Sequence, residues 1–188
     1  SQDAEVTYIK CDQTAMVSSA EVGRAVTSDT VLISIMHANN EVGTIQPIGD
    51  IADIARRKGV PFHCDAVQSF GKLAVNVRDL GVDLLSISAH KIGGPKGVGA
   101  LYIRKGTTCR ATTYGGRQER ARRAGTENVA GIAGFAVAAE IVSKCQAAEA
   151  KRMFKHRNLL WKEIKTGLPD AVLNGAPGNS LPNTLNIS

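Results

Sequence analysis

The sequence contains little that indicates a metal site, a disulfide framework or a membrane span. Its four cysteines, Cys11, Cys64, Cys109 and Cys145, are far apart and form no CxxC pair. We therefore predict reduced thiols in an intracellular protein. The four histidines show no HExxH or comparable ligand spacing, so we predict no bound metal. No apolar run approaches the ~20 residues of a membrane helix, and no signal or transit peptide is visible.

Aromatic residues make up only 4% of the 188 residues, which weighs against nucleic-acid binding despite a net charge of +6. The basic residues are concentrated at 117–123, with the sequence RQERARR. No aromatic side chains interleave with them to form a platform for stacking bases. We predict a solvated or anion-facing loop, and no nucleic acid or membrane among the partners.

Strand-like and helix-like segments alternate along the chain. Apolar and β-branched runs predict strands at 6–10, 30–36, 60–64, 83–88 and 99–104, and helical spacing predicts helices at 18–26 and 48–58. This order predicts an α/β fold with a mostly parallel sheet and flanking helices. A long helical stretch opens at 126–129 and ends near 168–169. We place a domain boundary within it, with 1–146 in a large domain and 147–188 beginning a smaller C-terminal α/β domain.

Two reactive side chains follow two of the predicted strands. Asp65 ends the run Val60-Pro-Phe-His-Cys, and Lys91 follows Leu84-Leu-Ser-Ile-Ser in a loop rich in glycine and proline. Ligands of open α/β sheets bind beyond the carboxyl ends of the strands, where these two groups would meet. A lysine that forms a Schiff base and a carboxylate that pairs with a pyridinium nitrogen are what pyridoxal 5'-phosphate requires of its protein.

Each of these residues also has an ordinary interpretation. Taken singly, Lys91 is typical of a surface lysine and Asp65 of a helix cap, and the Asn39-Asn40 pair before Gly43 is typical of a turn. The combination favours a site, because Ser88 and His90 flank the lysine with one donor each. Glycines at 93, 94 and 97 would also let the backbone approach a bound group.

Four blocks of the sequence resemble the signature blocks of the NifS-like cysteine desulfurases. These are fold-type I, class-V enzymes that use pyridoxal 5'-phosphate, with selenocysteine lyase as a close relative. The blocks occur in the family's order along residues 1–188: MHANNEVGTIQP at 36–47, HCDAVQSFGK at 63–72, SAHKIGGPKG at 88–97 and RAGTEN at 123–128. The resemblance implies that 1–146 is part of the cofactor-binding large domain.

The resemblance implies a role for each matching residue around the cofactor ring. Lys91 would form the Schiff base with pyridoxal 5'-phosphate and later act as the base that moves the Cα proton. Asp65 would pair with the pyridinium nitrogen, and Gln68 would hydrogen-bond the phenolic oxygen. Asn40 matches the family residue near that oxygen and the substrate carboxylate.

Other matches concern the phosphate and the subunit interface. Ser88 and His90 would hold the phosphate, and Thr126 matches a residue that reaches the phosphate of the neighbouring subunit, which implies a homodimer. The basic loop at 117–123 would then lie at the interface. Arg117 stands where family members usually have a third glycine, so a positive φ there would strain the loop.

The implied reaction removes sulfur from L-cysteine, leaving alanine and a persulfide on an enzyme cysteine that passes sulfur to an acceptor or scaffold protein, commonly for iron–sulfur cluster assembly. None of the four cysteines matches the family nucleophile. We therefore expect this chain to be an internal fragment that lacks the catalytic-cysteine loop and does not turn over alone. The compartment would be cytoplasmic, or a mitochondrion or plastid in a eukaryote.

Three alternatives remain open from the sequence. A selenocysteine lyase would carry the same blocks, whereas an aminotransferase-like relative is disfavoured by His90 directly before Lys91. The chain could also be a non-catalytic scaffold of the same fold, although retention of Lys91, Asp65, Gln68 and His90 together argues against loss of the cofactor site.

Overall fold

The sheet is open and mostly parallel, which confirms the predicted α/β fold. A computed structural model describes residues 4–188. Strands β1, β2 and β3 run parallel and β4 is antiparallel at the edge, in the order β1-β2-β3-β4. Parallel neighbours need a crossover, and α2 supplies the one between β1 and β2. The strands are β1 Ile33–Met36, β2 Phe62–Asp65, β3 Leu84–Ser88 and β4 Gly99–Ile103.

The helices begin and end at residues whose chemistry explains the boundaries. Ser18 caps the first helix by accepting a hydrogen bond from the Glu21 N–H, at 3.3 Å. The second helix ends at Gly59, whose φ of 69° is left-handed. The helices are α1 Ser19–Ala25, α2 Ile48–Lys58, α3 Val77–Leu80, α4 Gln118–Ala121 and α5 Val129–Gly167, with a 3-10 helix at Ala89–Ile92.

The core lies between one face of the sheet and helices α1 and α2. Phe62 and Cys64 of β2 and Ile51 of α2 are fully buried. Side chains alternate between the two faces of a strand, so His63 and Asp65 point to the opposite face, where they are half-buried and exposed respectively. One face of the sheet is thus committed to packing, and the other is available for polar groups.

Three sequence expectations differ from the structure. Residues 6–10 form no strand, because they have no ladder partner in the described part of the chain, and Tyr8 is 87% exposed. The short helices α3 and α4 were not predicted. Arg117 has a φ of −93°, so the strain expected there is absent. Left-handed backbone occurs instead at Glu119, Arg120 and Ala121, with φ values of 49°, 59° and 62°.

The predicted long helix is present as α5, which runs without interruption from Val129 to Gly167. It crosses residues 146 and 147, so the proposed domain boundary would fall inside a helix, and that division stays a prediction. By length and composition α5 meets the criterion for a membrane span. Its buried residues are Gly131, Phe135 and Ala138, and most of its apolar segment is exposed in this chain.

Candidate functional site

The polar residues singled out in the sequence follow the carboxyl ends of three parallel strands. Asp65 is the last residue of β2, and it is in register with Met36 of β1 and Ser86 of β3. Ser88 ends β3 and leads directly into the 3-10 helix that carries Lys91. Because adjacent strands lie about 4.8 Å apart, these groups share one edge of the sheet, as predicted.

Asp65 both caps a turn and keeps an oxygen available. Its Oδ1 accepts the N–H of Val67 at 2.9 Å, which fixes the start of the turn that carries Gln68. The backbone of Ala66 is anchored to β3 through its N–H and the Ser86 carbonyl, at 3.0 Å. Within residues 4–188, Oδ2 of Asp65 accepts no hydrogen bond from the protein. The cap interpretation therefore holds for this residue, and its role in a site stays a prediction.

Lys91 projects from a turn bounded by donors and glycines. Ser88 Oγ and His90 Nδ1 are 2.7 Å apart, so the two donors already form a pair. Lys91 is exposed, and it makes no hydrogen bond or ion pair with the part of the chain that the structure describes. Gly93 ends the turn with a left-handed φ of 79°. A Cβ on Gly94 would lie 3.0 Å from the Ala89 carbonyl oxygen, so this turn needs glycine to close.

A second lysine lies next to the turn that carries Gln68. Lys72 Nζ donates to the Gln68 carbonyl at 2.8 Å, and the Lys72 carbonyl accepts from Gln146 Nε2 of α5 at 2.9 Å. Burial lowers the pKa of Lys72, and the positive charge of Lys91 lowers it further. Lys72 was not predicted as a site residue, although the Gly71-Lys72 pair ends one of the four blocks that resemble the family. The signal available there was its proximity to Gln68, four residues earlier.

Asn40 is placed at the same edge by the turn after β1. The neighbouring Asn39 makes the local bonds, since its Oδ1 accepts the N–H groups of Glu41 and Val42 at 2.8 and 2.9 Å. This leaves the Asn40 amide exposed, with no hydrogen bond to residues 4–188. The Asn39 amide thus holds the turn, and the Asn40 amide is exposed.

Thr126 stands apart from this group. It lies exposed in the segment between α4 and α5, two residues before the helix cap Asn128. The Asn128 side chain accepts the Gly131 N–H at 3.0 Å and begins the helix. The expected contact of Thr126 with a neighbouring subunit stays a prediction.

Two buried or half-buried histidines near the strand ends were missed as site residues. His37, directly after β1, is 6% exposed, and its Nδ1 has no hydrogen-bond partner among the described residues. Burial lowers the pKa of this imidazole. His63 bridges two serines across the sheet, as described below. Strand alternation was the signal for His63, because residues two apart on a strand share a face with Asp65.

The candidate site residues lie on an open surface, and two cavities lie against α5. One, of about 500 Å³, is an open groove where the turn after Lys91 packs on α5, and it is lined by Ile92, Pro95 and Ile141. The other, of about 250 Å³, lies between α5 and the C-terminal segment. Within residues 4–188, no three His, Cys, Asp or Glu side chains come together as a metal ligand set.

Comparisons with known proteins identify the family of this chain. The aminotransferase class-V family profile matches residues 1–188. A cysteine desulfurase IscS from Dictyoglomus turgidum is 50% identical over 184 residues, which is 98% of this chain and 47% of that protein.

Solved structures give the same result. A NifS-like protein superposes with a TM-score of 0.94 at 44% identity, covering 100% of this chain and 51% of the other. SspA in complex with cysteine superposes with a TM-score of 0.81 at 35% identity, covering 99% and 51%. The chain thus spans about half the length of the relatives that it matches.

Proposed function

Because this chain belongs to the class-V aminotransferase family, we propose that the whole protein is a cysteine desulfurase that uses pyridoxal 5'-phosphate. The observation that carries the proposal is one edge of the sheet where Asp65, Asn40 and Lys91 all have unused hydrogen-bonding capacity toward the rest of residues 4–188. The similarity to proteins named cysteine desulfurase supports the choice of reaction.

The donor set fits this cofactor. Asp65 Oδ2 is an acceptor for a protonated ring nitrogen. The Ser88 hydroxyl and the His90 imidazole, which hydrogen-bond each other at 2.7 Å, lie together at the start of the turn, where a phosphate would replace their mutual bond. Gln68 is half-buried, and its side chain makes no hydrogen bond within the described chain, so it is free to reach the phenolic oxygen. When bound, pyridoxal 5'-phosphate supplies an electron-withdrawing ring that stabilises negative charge at the substrate Cα.

The residues of this chain would then hold the cofactor and move one proton. The Lys91 amine is exposed on a turn fixed by glycines, where it can form the covalent link and afterwards take the proton from the substrate Cα. The carboxylate of Asp65 would hold the positive charge on the ring nitrogen. Asn40 would contact the substrate carboxylate.

The cysteine that receives the sulfur is proposed to lie outside residues 1–188. Cys64 is fully buried, and burial, with the neighbouring Asp65 charge, raises its pKa to about 12, so it is a poor nucleophile. Cys145 Sγ donates within its own helix to the Ile141 carbonyl at 3.2 Å. This chain covers about half of each relative's length. The proposal for the whole protein therefore also includes the product, a homodimer with Thr126 at its interface, an acceptor or scaffold protein for the sulfur, and an intracellular compartment.

The test uses the full-length protein loaded with pyridoxal 5'-phosphate. We expect a visible absorbance band that shifts when L-cysteine is added. With an excess of a thiol reductant, which reduces the enzyme persulfide and releases its outer sulfur, alanine and sulfide should form in equal amounts. Lys91→Ala should abolish the band, and Lys91→Arg, which keeps the charge, should abolish it too, because a guanidinium does not form the Schiff base. A band that survives both substitutions, or a keto acid as product, would contradict the proposal. Selenocysteine with selenide as product tests the selenocysteine lyase alternative, which the comparisons do not favour.

A further inference from the structure

A chain of hydrogen bonds crosses the three parallel strands on the face that carries Asp65. His63 Nδ1 lies 2.8 Å from Ser34 Oγ of β1, and His63 Nε2 lies 2.7 Å from Ser86 Oγ of β3. Both distances are those of good hydrogen bonds. One imidazole thus connects β1, β2 and β3 through side chains, in addition to the backbone ladders.

These two hydrogen bonds lie directly beneath the candidate site. His63 and Asp65 are two residues apart on β2 and therefore share a face, about 7 Å apart along the strand. Ser86 is in register with Asp65, and Ser88 follows it on the same face. The His63–Ser86 hydrogen bond thus holds β2 and β3 together just before the strand ends, where Asp65 and Ser88 would bind the cofactor.

The protonation state of His63 decides which of its ring nitrogens donate hydrogen bonds to the two serines and which accept them. Burial lowers the pKa of the imidazole, and the Asp65 charge opposes this by raising it. Because burial is the larger effect, the ring is neutral at neutral pH, with one nitrogen donating and the other accepting. Within residues 4–188, Asp65 is the charged group whose field acts on this ring, while β1 and β3 present serine hydroxyls to it.

We propose that His63 is a positioning residue for Asp65, an inference that rests on the proposed function. The neutral imidazole sets the spacing of the three strand ends and leaves the Asp65 carboxylate uncompensated, so that its full negative charge acts on the cofactor's ring nitrogen. A proton on His63 places a second positive charge beside Asp65, in competition with that nitrogen. It also forces both serines to act as acceptors.

The experiment measures the His63 ring directly in the full-length protein. Histidine ring resonances are titrated by NMR with and without Asp65→Asn, which removes the charge but keeps an Oδ1 acceptor for the Val67 N–H. We expect Asp65→Asn to lower the pKa of His63, because the neighbouring negative charge is gone. This readout does not depend on turnover. A His63 titration that Asp65→Asn leaves unchanged would overturn the proposal.

Kinetics separate positioning from simple packing. His63→Gln keeps hydrogen-bonding capacity but takes up no proton, and Ser34→Ala cuts the link to β1 while keeping the imidazole. We expect His63→Gln to lower kcat by about tenfold at about pH 8 and to remove the fall of kcat toward about pH 5 that His63 protonation causes. Ser34→Ala should keep that fall.

Two outcomes distinguish this inference from the proposed function. A pH profile of His63→Gln that parallels the wild type, in a protein that binds the cofactor, overturns the role of His63 alone. A wild-type protein that shows no cofactor band overturns the proposed function, and with it the role of His63 toward the ring nitrogen.

Discussion

Cys64 and Asp65 are consecutive residues of β2 whose side chains lie on opposite faces of the sheet. The thiol is fully buried in the core, and the carboxylate is exposed at the site. The Asp65 charge still acts on Cys64 across the backbone and adds to the burial that raises the pKa of the thiol. A shift of one residue along the strand thus separates a buried side chain from an exposed one.

We expect Cys64 to resist alkylation in the native full-length protein. At a pKa of about 12 almost none of the thiol is ionised near neutral pH, and burial blocks the reagent. Peptide mass spectrometry after treatment with iodoacetamide measures this, with the exposed Cys11 as the internal control. Both should react in denaturant. Equal labelling of Cys64 and Cys11 under native conditions would contradict the assignment of Cys64 to the core.

Asp65→Asn should preserve cofactor binding while lowering turnover. The asparagine Oδ1 can still accept the Val67 N–H, so the turn that carries Gln68 is retained. The negative charge opposite the ring nitrogen is lost, and removal of such an electrostatic contact costs about 100-fold in kcat. Absorbance titration with pyridoxal 5'-phosphate and alanine release measure the two effects separately. Full activity in this variant would contradict the role of Asp65.

Gly71→Ala should lower the free energy of unfolding by more than the strain of a left-handed alanine alone, because the added Cβ would also disturb the turn that carries Lys91 (the lysine turn). Gly71 has a φ of 78°, and an added Cβ would lie 2.8 Å from Ile92 Cγ2, next to Lys91. We expect a loss of about 1 kcal/mol from the left-handed backbone and about 2 kcal/mol more from the clash, with weaker cofactor binding. Gly59→Ala is the matched control, since φ is 69° and nothing lies within 4 Å. Denaturant unfolding of both full-length variants compares them, and equal losses would show that the clash has no effect.

Buried His37 should make the full-length protein less stable in acid. Burial lowers the pKa of His37 in the folded state, so the unfolded chain takes up a proton first as the pH falls below about 6.5. Stability is then lost, by up to about 1.4 kcal/mol per pH unit, until the folded-state pKa is reached. His37→Gln should remove this part of the slope in denaturant unfolding at several pH values. Exposed His156→Gln controls for loss of an imidazole, and an unchanged slope in His37→Gln would contradict the prediction.

The sequence was sufficient for the parts of the molecule in which local pattern and packing agree. The parallel strands that deliver Asp65 and Ser88 were predicted because their apolar runs end at polar residues, and the sheet edge forms there. Helices α1 and α2 were predicted from their apolar spacing, and their ends fall next to Ser18 and Gly59, which are residue types that favour helix caps. The glycines after Lys91 were predicted to let the backbone approach a bound group. In the structure the turn itself requires glycine at 94, because a Cβ there would lie 3.0 Å from the Ala89 carbonyl oxygen.

The parts that the sequence did not predict depend on groups distant along the chain. Residues 6–10 have strand-forming side chains, but whether a strand forms depends on a partner. The left-handed residues 119–121 carry no glycine that would mark them. The contact of Lys72 with Gln146 joins residues 74 apart, and the His63 bridge joins three strands. Neither leaves a local pattern.

Helix α5 gives the lysine turn and the C-terminal segment a common mechanical support. At one place Gly134 lets Pro95 approach, since a Cβ would lie 2.7 Å from Pro95 Cγ. Farther along, Arg157 donates to Ser180 Oγ and to the Leu181 carbonyl, at 2.9 and 2.7 Å. Some 35 Å of unbroken helix separates the two contacts. A group that packed on residues 180–181 and tilted α5 would therefore also move the turn that carries Lys91, because the helix between the two contacts is unbroken.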